Sequence, residues 1–187
     1  MAKKMGEYMM NWLQSTDFAI LDWIAENLRC AFLDLFFPYF SFLGNGGWFF
    51  ILTAVVLLCF KKTRKVGLAI GLALIFGLII GNLTLKPLIA RVRPFDARPY
   101  IELIISKPSE FSFPSGHTLA AFETASAIFM FNKKWGTYAL IFAAVMGFSR
   151  LYLYVHYPSD VIAGAILGSA FGIVAAVIIR RIFKKVT

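Results

Sequence analysis

Carboxylates, cysteines and histidines are scarce in this chain. Ten Asp and Glu stand against 19 Lys and Arg, and 187 residues include only two cysteines and two histidines. Cys30 and Cys59 lie in or beside apolar segments without metal-ligand spacing, so they read as packing residues and imply no disulfide framework. No internal repeat and no low-complexity linker interrupts the chain. The opening stretch carries Lys3 and Lys4, then Glu7, Asn11, Gln14 and Asp17 before any long apolar run, which is not the order of a cleaved signal peptide.

What the chain has is apolar surface. It is 59% hydrophobic, with 20 Phe and a mean hydropathy of +0.73, which excludes an ordinary soluble domain and predicts an all-α, polytopic transmembrane bundle. About six membrane helices are expected, the first being the least defined. The net charge of +9 does not point to nucleic acid, because the cations fall in short clusters between apolar runs. One domain is expected, with 1–45 as an N-terminal amphipathic or first membrane segment and 46–187 as its core.

Residues 1–29 alternate Trp12, Leu13, Phe18, Leu21 and Trp23 with Asp17, Asp22, Glu26 and Arg29, the pattern of an interfacial amphipathic helix. Residues 30–43 are more apolar but are broken by Asp34 and Pro38, and alone fall short of the roughly 20 residues a crossing needs. Gly44-Asn45-Gly46-Gly47 is a turn, with phosphate cradling as its alternative use. Apolar spans follow over about 47–60, 66–85, 118–131, 137–154 and 161–179. Basic clusters close them at Lys61, Lys62, Arg64 and Lys65, at Lys133 and Lys134, and at Arg180, Arg181, Lys184 and Lys185. Basic loops stay cytoplasmic, so these clusters, the N-terminus and the C-terminus are expected inside.

The same alternation sends three other groups to the opposite face. Lys86 leaves the membrane ahead of Arg93-Pro94. Pro114-Ser115-Gly116-His117 opens a helix whose free N–H groups suit a phosphate. Arg150 ends another helix, and His156 stands at a corner where Pro158 begins the next, with Asp160 about one turn on. A carboxylate there can take Nδ1–H of His156 and leave Nε2 free for an electrophile. Taken alone, that corner also reads as a capped helix start with a structural histidine.

Together the three groups resemble the signature motifs of the type 2 phosphatidic acid phosphatase (PAP2) superfamily: Lys-x6-Arg-Pro, Pro-Ser-Gly-His and Ser-Arg-x5-His-x3-Asp, over roughly 46–180. The resemblance implies a membrane lipid phosphatase. In it His156 would be the nucleophile, Asp160 the group that orients it, and His117 the general acid and then base. Lys86, Arg93, Arg150, the Ser115 hydroxyl and the Gly116 N–H would cradle the phosphoryl oxygens. No metal and no other cofactor is implied, since cations do that work and Asp160 is the one acid of the cluster. Length and the short 87–117 loop look similar to small bacterial members acting on undecaprenyl diphosphate. Phosphatidylglycerol phosphate and phosphatidic acid are rivals, and a vanadate-dependent oxidase or a non-enzymatic anion-binding bundle are remoter readings. The expected partners are therefore a lipid substrate and the bilayer. Arg91, Arg98 and Lys107 would either extend the positive field or pair with Asp96 and Glu102. Glu123 would either pair with another helix or line the path of the lipid.

Overall fold

The computed structural model describes residues 2–185, with side chains over 12–184. The side chains of Lys3, Lys4, Glu7, Asn11 and Lys185, invoked above, lie outside that range. Every regular element among the described residues is helical: α1 (Ala2–Asn27), α2 (Ala31–Phe42), α3 (Trp48–Cys59), α4 (Arg64–Phe76), α5 (Lys86–Ile89), α6 (Pro94–Ala97), α7 (Gly116–Phe131), α8 (Lys133–Tyr152) and α9 (Pro158–Lys185), with a loop over 98–115. Gly77–Leu85 winds as a π-helix that joins α4 to α5.

Helix α7, of 16 residues, is the hub. Its Leu119, Ala121, Ala125 and Ala127 are buried, and α8 and α9 flank it. Small residues let α9 approach closely. A Cβ at Gly164, Gly168 or Gly172 would lie 2.9, 2.5 and 2.5 Å from the Ser115, Leu119 and Glu123 carbonyl oxygens. Without a hydrophobic drive between helices in lipid, such backbone contact is what holds them together.

Among the described residues two stretches are long and apolar enough to cross a membrane, Arg64–Ala97 and Pro158–Lys184, and a third counts if the bent pair Ala31–Phe42 and Asn45–Cys59 is one span. The expected count of about six is not reached by this measure. The physical reason is that α7 has 16 residues and a largely buried surface with Glu123 in it, while α8 carries Lys133, Lys134 and Arg150.

The three basic clusters gather at one end. Lys65 lies over the Phe183 ring, 5.0 Å from its centroid, and Arg180 donates to the Met130 carbonyl. At the other end α1 packs on α8 and α9, burying Leu21 with Tyr154 and Tyr157. Its Trp12 and Trp23 stay exposed. A chain corner over 153–157 separates α8 from α9, and Tyr154 sits there at φ 59°, a left-handed conformation that costs a non-glycine residue about 1–3 kcal/mol. The Tyr154 hydroxyl donates to Asp22 Oδ1 at 2.7 Å, which helps hold the corner.

Candidate active site

The polar end opens into a cavity of about 960 Å³ that runs from the cluster of cations down between α3 and α4 to Glu123. Six of the eight sequence-selected residues line it: Lys86, Arg93, Gly116, His117, Arg150 and His156. Asp160 stands behind His156. Ser115 is fully buried, and its hydroxyl pairs with Thr118 Oγ1 at 2.9 Å instead of facing the cavity. No side chain caps α7, so its first N–H groups stay available at the positive end of the helix dipole.

His156 is 2% exposed and is held from both sides. Arg93 Nη1 lies 3.2 Å from Nε2. A guanidinium can only donate, so Nε2 is the acceptor and Nδ1 carries the proton. That proton faces Ser112 Oγ at 3.4 Å and Asp160 Oδ2 at 3.6 Å. Ser112 in turn donates to Asp160 Oδ2 at 2.5 Å, and Tyr157 N–H donates to the same oxygen at 3.0 Å. Burial pushes the His156 pKa down to about 3, so the ring is neutral at ordinary pH.

The cations have unequal partners. Arg93 also donates to the Val155 carbonyl at 2.8 Å and, through Nε, to the Glu110 carbonyl at 2.6 Å. Lys86 is paired with the Glu110 carboxylate, and Lys86 holds that carboxyl below the usual range. Arg150 is 3% exposed; it donates to the Ser41 hydroxyl, and its Nε has no partner. Among the described residues no carboxylate faces Arg150. A buried guanidinium so placed is satisfied by an anion in the cavity.

His117 is half-buried by its surface exposure, its Nε2 lies 2.9 Å from Asn45 Oδ1, and burial, with the nearby cations Arg150, Lys86 and Arg93, holds its pKa well below the usual histidine range. The 44–47 turn therefore positions this ring, and there is room for it because residue 44 is glycine: a Cβ there would come within 2.9 Å of His117 Cγ. Gly44, Asn45, Gly46 and Gly47 also line the cavity, so the turn has this supporting role beside the alternative of phosphate cradling. Arg91 and Arg98 do not pair with Asp96 or Glu102. Arg91 is bound to Asp17 and Asp160, Arg98 to Asp22 at 2.6 and 2.7 Å, and Lys107 lies 5.8 Å from the centroid of Phe95. Glu123 lines the cavity, with Oε1 unpartnered. Among the described residues no group of three His, Cys, Asp or Glu could hold a metal ion.

Sequence reasoning passed over Asn45 as an individual residue, and Ser41, Ser112 and the pairing role of Asp17. Ser112 stands three residues before Ser115, so proximity to a recognised motif was its only available signal.

The sequence profile of the PAP2 superfamily matches residues 62–184. The chain belongs to the PAP2 superfamily. It is 35% identical over 131 residues to an undecaprenyl-diphosphatase of Sulfolobus acidocaldarius, covering 68% of this chain and 63% of that relative's length. It is 32% identical over 176 residues to a lipid A 4'-phosphatase of Bacteroides thetaiotaomicron, covering 88% of this chain and 77% of the relative. The crystal structure of a transmembrane PAP2 type phosphatidylglycerolphosphate phosphatase from Bacillus subtilis superposes with a TM-score of 0.71 at 26% identity, covering 95% of this chain and 89% of the other.

Proposed function

We propose that this PAP2 protein is an integral membrane lipid phosphatase that removes the terminal phosphate of undecaprenyl diphosphate through a phosphohistidine. The observation that carries the reading is the buried Arg150, without a carboxylate partner, in the wall of a cavity that also holds both histidines, Lys86 and Arg93. Such a cavity attracts a phosphoryl group and offers it a nucleophile. The likeness to the Sulfolobus acidocaldarius undecaprenyl-diphosphatase supports the prenyl substrate, and the apolar wall between α3 and α4 suits a hydrocarbon chain. We take 46–187 as the phosphatase core. With the basic clusters cytoplasmic, the cavity opens on the extracytoplasmic face.

In the first step Nε2 of His156 attacks the terminal phosphorus and the bridging P–O bond breaks. His117, protonated when the negatively charged substrate enters the cavity, gives that proton to the departing bridging oxygen, which leaves on undecaprenyl phosphate. Lys86, Arg93, Arg150 and the Gly116 N–H hold the equatorial oxygens as charge spreads over them. Asp160 stabilises the ring while it is positive. In the second step His117 takes a proton from water, the water oxygen attacks phosphorus, and the P–N pair of electrons returns to Nε2. Inorganic phosphate leaves and His117 is protonated again. No divalent ion enters this scheme, because three cations occupy the places a metal would serve.

A second reading, phosphatidylglycerol phosphate or phosphatidic acid as substrate, is favoured by the fold likeness to the Bacillus subtilis enzyme and by polar Glu123 in the cavity wall. The test is phosphate release by purified protein in detergent with EDTA present, comparing the three lipids, with His156→Ala as control. Release that persists in EDTA, is fastest on undecaprenyl diphosphate and falls by at least about 10⁴-fold in the variant is expected. A faster glycerol phospholipid replaces the substrate. Release that needs a metal, or survives the substitution, removes the mechanism.

A further inference from the structure

The N-terminal helix reaches the catalytic corner through Asp22, which holds Tyr154, and through Asp17, which reaches the carboxylate behind His156 by way of Arg91. Asp17, on α1, is 2% exposed although its neighbours on the helix include exposed Trp12 and Leu13. Its Oδ2 accepts from Arg91 Nη2 at 2.7 Å and from Ser159 Oγ at 2.5 Å, and its Oδ1 accepts from the Ser159 N–H at 2.9 Å. Arg91 turns its other amino group, Nη1, onto Asp160 Oδ1 at 2.5 Å and Ser159 Oγ at 2.7 Å. The guanidinium lies over the Tyr157 ring, 3.9 Å from its centroid, which fixes its plane.

The consequence is that both oxygens of Asp160 are tied. Oδ1 meets Arg91, and Oδ2 meets Ser112, the Tyr157 N–H and the proton side of His156. A carboxylate with no solvent exposure also needs a nearby cation to stay charged, and Arg91 is the cation bound to it. Arg91 does not line the cavity, so it is not part of the phosphate cradle. Arg91 and Arg93, two residues apart, bracket one corner: Arg93 faces Nε2 of His156, and Arg91 faces the carboxylate behind Nδ1.

We infer that Arg91, anchored by Asp17 of α1, is a positioning residue for His156, which it serves by fixing the Asp160 carboxylate that, together with Arg93 on Nε2, selects the ring's tautomer. The N-terminal helix, outside the matched residues 62–184, is thereby a working part of the site. For its effect on turnover the inference rests on the phosphohistidine reading; its effect on the His156 ring does not depend on that reading.

The experiment uses full-length Arg91→Gln, Arg91→Lys and Asp17→Asn in detergent, with two readouts. The first is steady-state phosphate release. The second is NMR of the labelled imidazole nitrogens, where the chain's two histidines give two pairs of ring signals and His117→Asn assigns them. Arg91→Gln should lower kcat about 10–100-fold with KM changed by less than about threefold, as loss of an orienting partner does. In the same variant the His156 signals should leave the pure Nδ1–H tautomer. Arg91→Lys keeps the charge but not the fork, so it should recover part of both. Asp17→Asn should change both in the same direction by less. Unchanged His156 signals overturn the inference, whether kcat is unchanged or falls together with thermal stability. If the tautomer shifts as stated but wild-type protein releases no phosphate from any lipid, the positioning role stands and the phosphatase reading fails.

Discussion

The two histidines of the cavity are held in opposite ways. His156 is 2% exposed and is fixed by Arg93, Ser112 and Asp160, which come from three separate parts of the chain. Burial is the main cause of its low pKa of about 3; Asp160 pulls the other way, and Arg93 and Arg150 push with burial. His117 is half-buried at the first turn of α7 and meets Asn45 on a glycine turn; burial and the nearby Arg150 lower its pKa too, so the two rings differ in access and in partners rather than in resting charge. The contrast matches what the proposed chemistry asks of each. A nucleophile needs a neutral ring with one lone pair aimed at phosphorus. An acid that becomes a base must gain and lose a proton and must reach water.

The largest expected effect that separates them comes from His117→Asn. Turnover of the lipid diphosphate should fall about 10²–10⁴-fold, the usual share of general acid–base catalysis. An aryl phosphate with an easily lost leaving group should suffer much less in the first step, while dephosphorylation of His156 slows. Phosphate bound to the chain, labile to acid after quenching, should then accumulate. Equal losses on both substrates, with no bound phosphate, would break the division of labour. Since His156 is neutral above about pH 3, a fall of kcat/KM at higher pH on the acid side belongs to another group.

A smaller effect tests the support of His117. Gly44 has φ −87° and ψ −10°, which alanine adopts freely, so Gly44→Ala adds only a methyl against the imidazole. Displacing the ring should cost about 10–100-fold in kcat, and Asn45→Ala about tenfold or less. The His156 ring signals should not move in either variant. If they do, the two halves of the site are not independent.

How far the sequence disclosed this arrangement depended on the range of the signal. Proline punctuation located the corner: α9 begins at Pro158, and Arg150 lies in the last turn of α8, as the spacing required. The cations of the three motifs were legible because their intervals are short and fixed. Asp17, Ser41, Ser112 and Asn45 were not legible as partners of Arg91, Arg150, His156 and His117. Their contacts arise from packing between distant segments, and a polar residue on an amphipathic helix such as α1 reads equally well as solvated. For Arg98 the nearby Asp96 and Glu102 were one alternative the sequence offered, and α1 brings Asp22 to it instead. The four-residue spacing of Gly164, Gly168 and Gly172 on α9, which sequence reasoning passed over, is where α9 packs closely on α7. Hydropathy alone does not count the crossings, since a helix buried among helices, as α7 is, need not be apolar all round.

The smallest effect falls on the His156 side of the comparison. Glu110 reaches into the cradle from the 98–115 loop, its carboxylate on Lys86 and its carbonyl on Arg93 Nε. The Glu110 side chain is 68% exposed, so this pair is worth at most about 1 kcal/mol, or about fivefold in an equilibrium constant. An incoming phosphoryl group must displace the carboxylate from Lys86 and can keep the backbone bond to Arg93. Glu110→Gln should therefore lower KM about two- to fivefold and leave kcat unchanged. The same change should appear as tighter competitive inhibition by inorganic phosphate. Lys86 depresses the Glu110 pKa, so wild-type protein keeps the competing charge through the usual carboxylate range and loses it only below. The difference between wild type and variant should accordingly persist from neutral pH downward and close only under strongly acid conditions. A rise in KM would instead make Glu110 a ligand-binding group, and the cradle would then not be cationic alone.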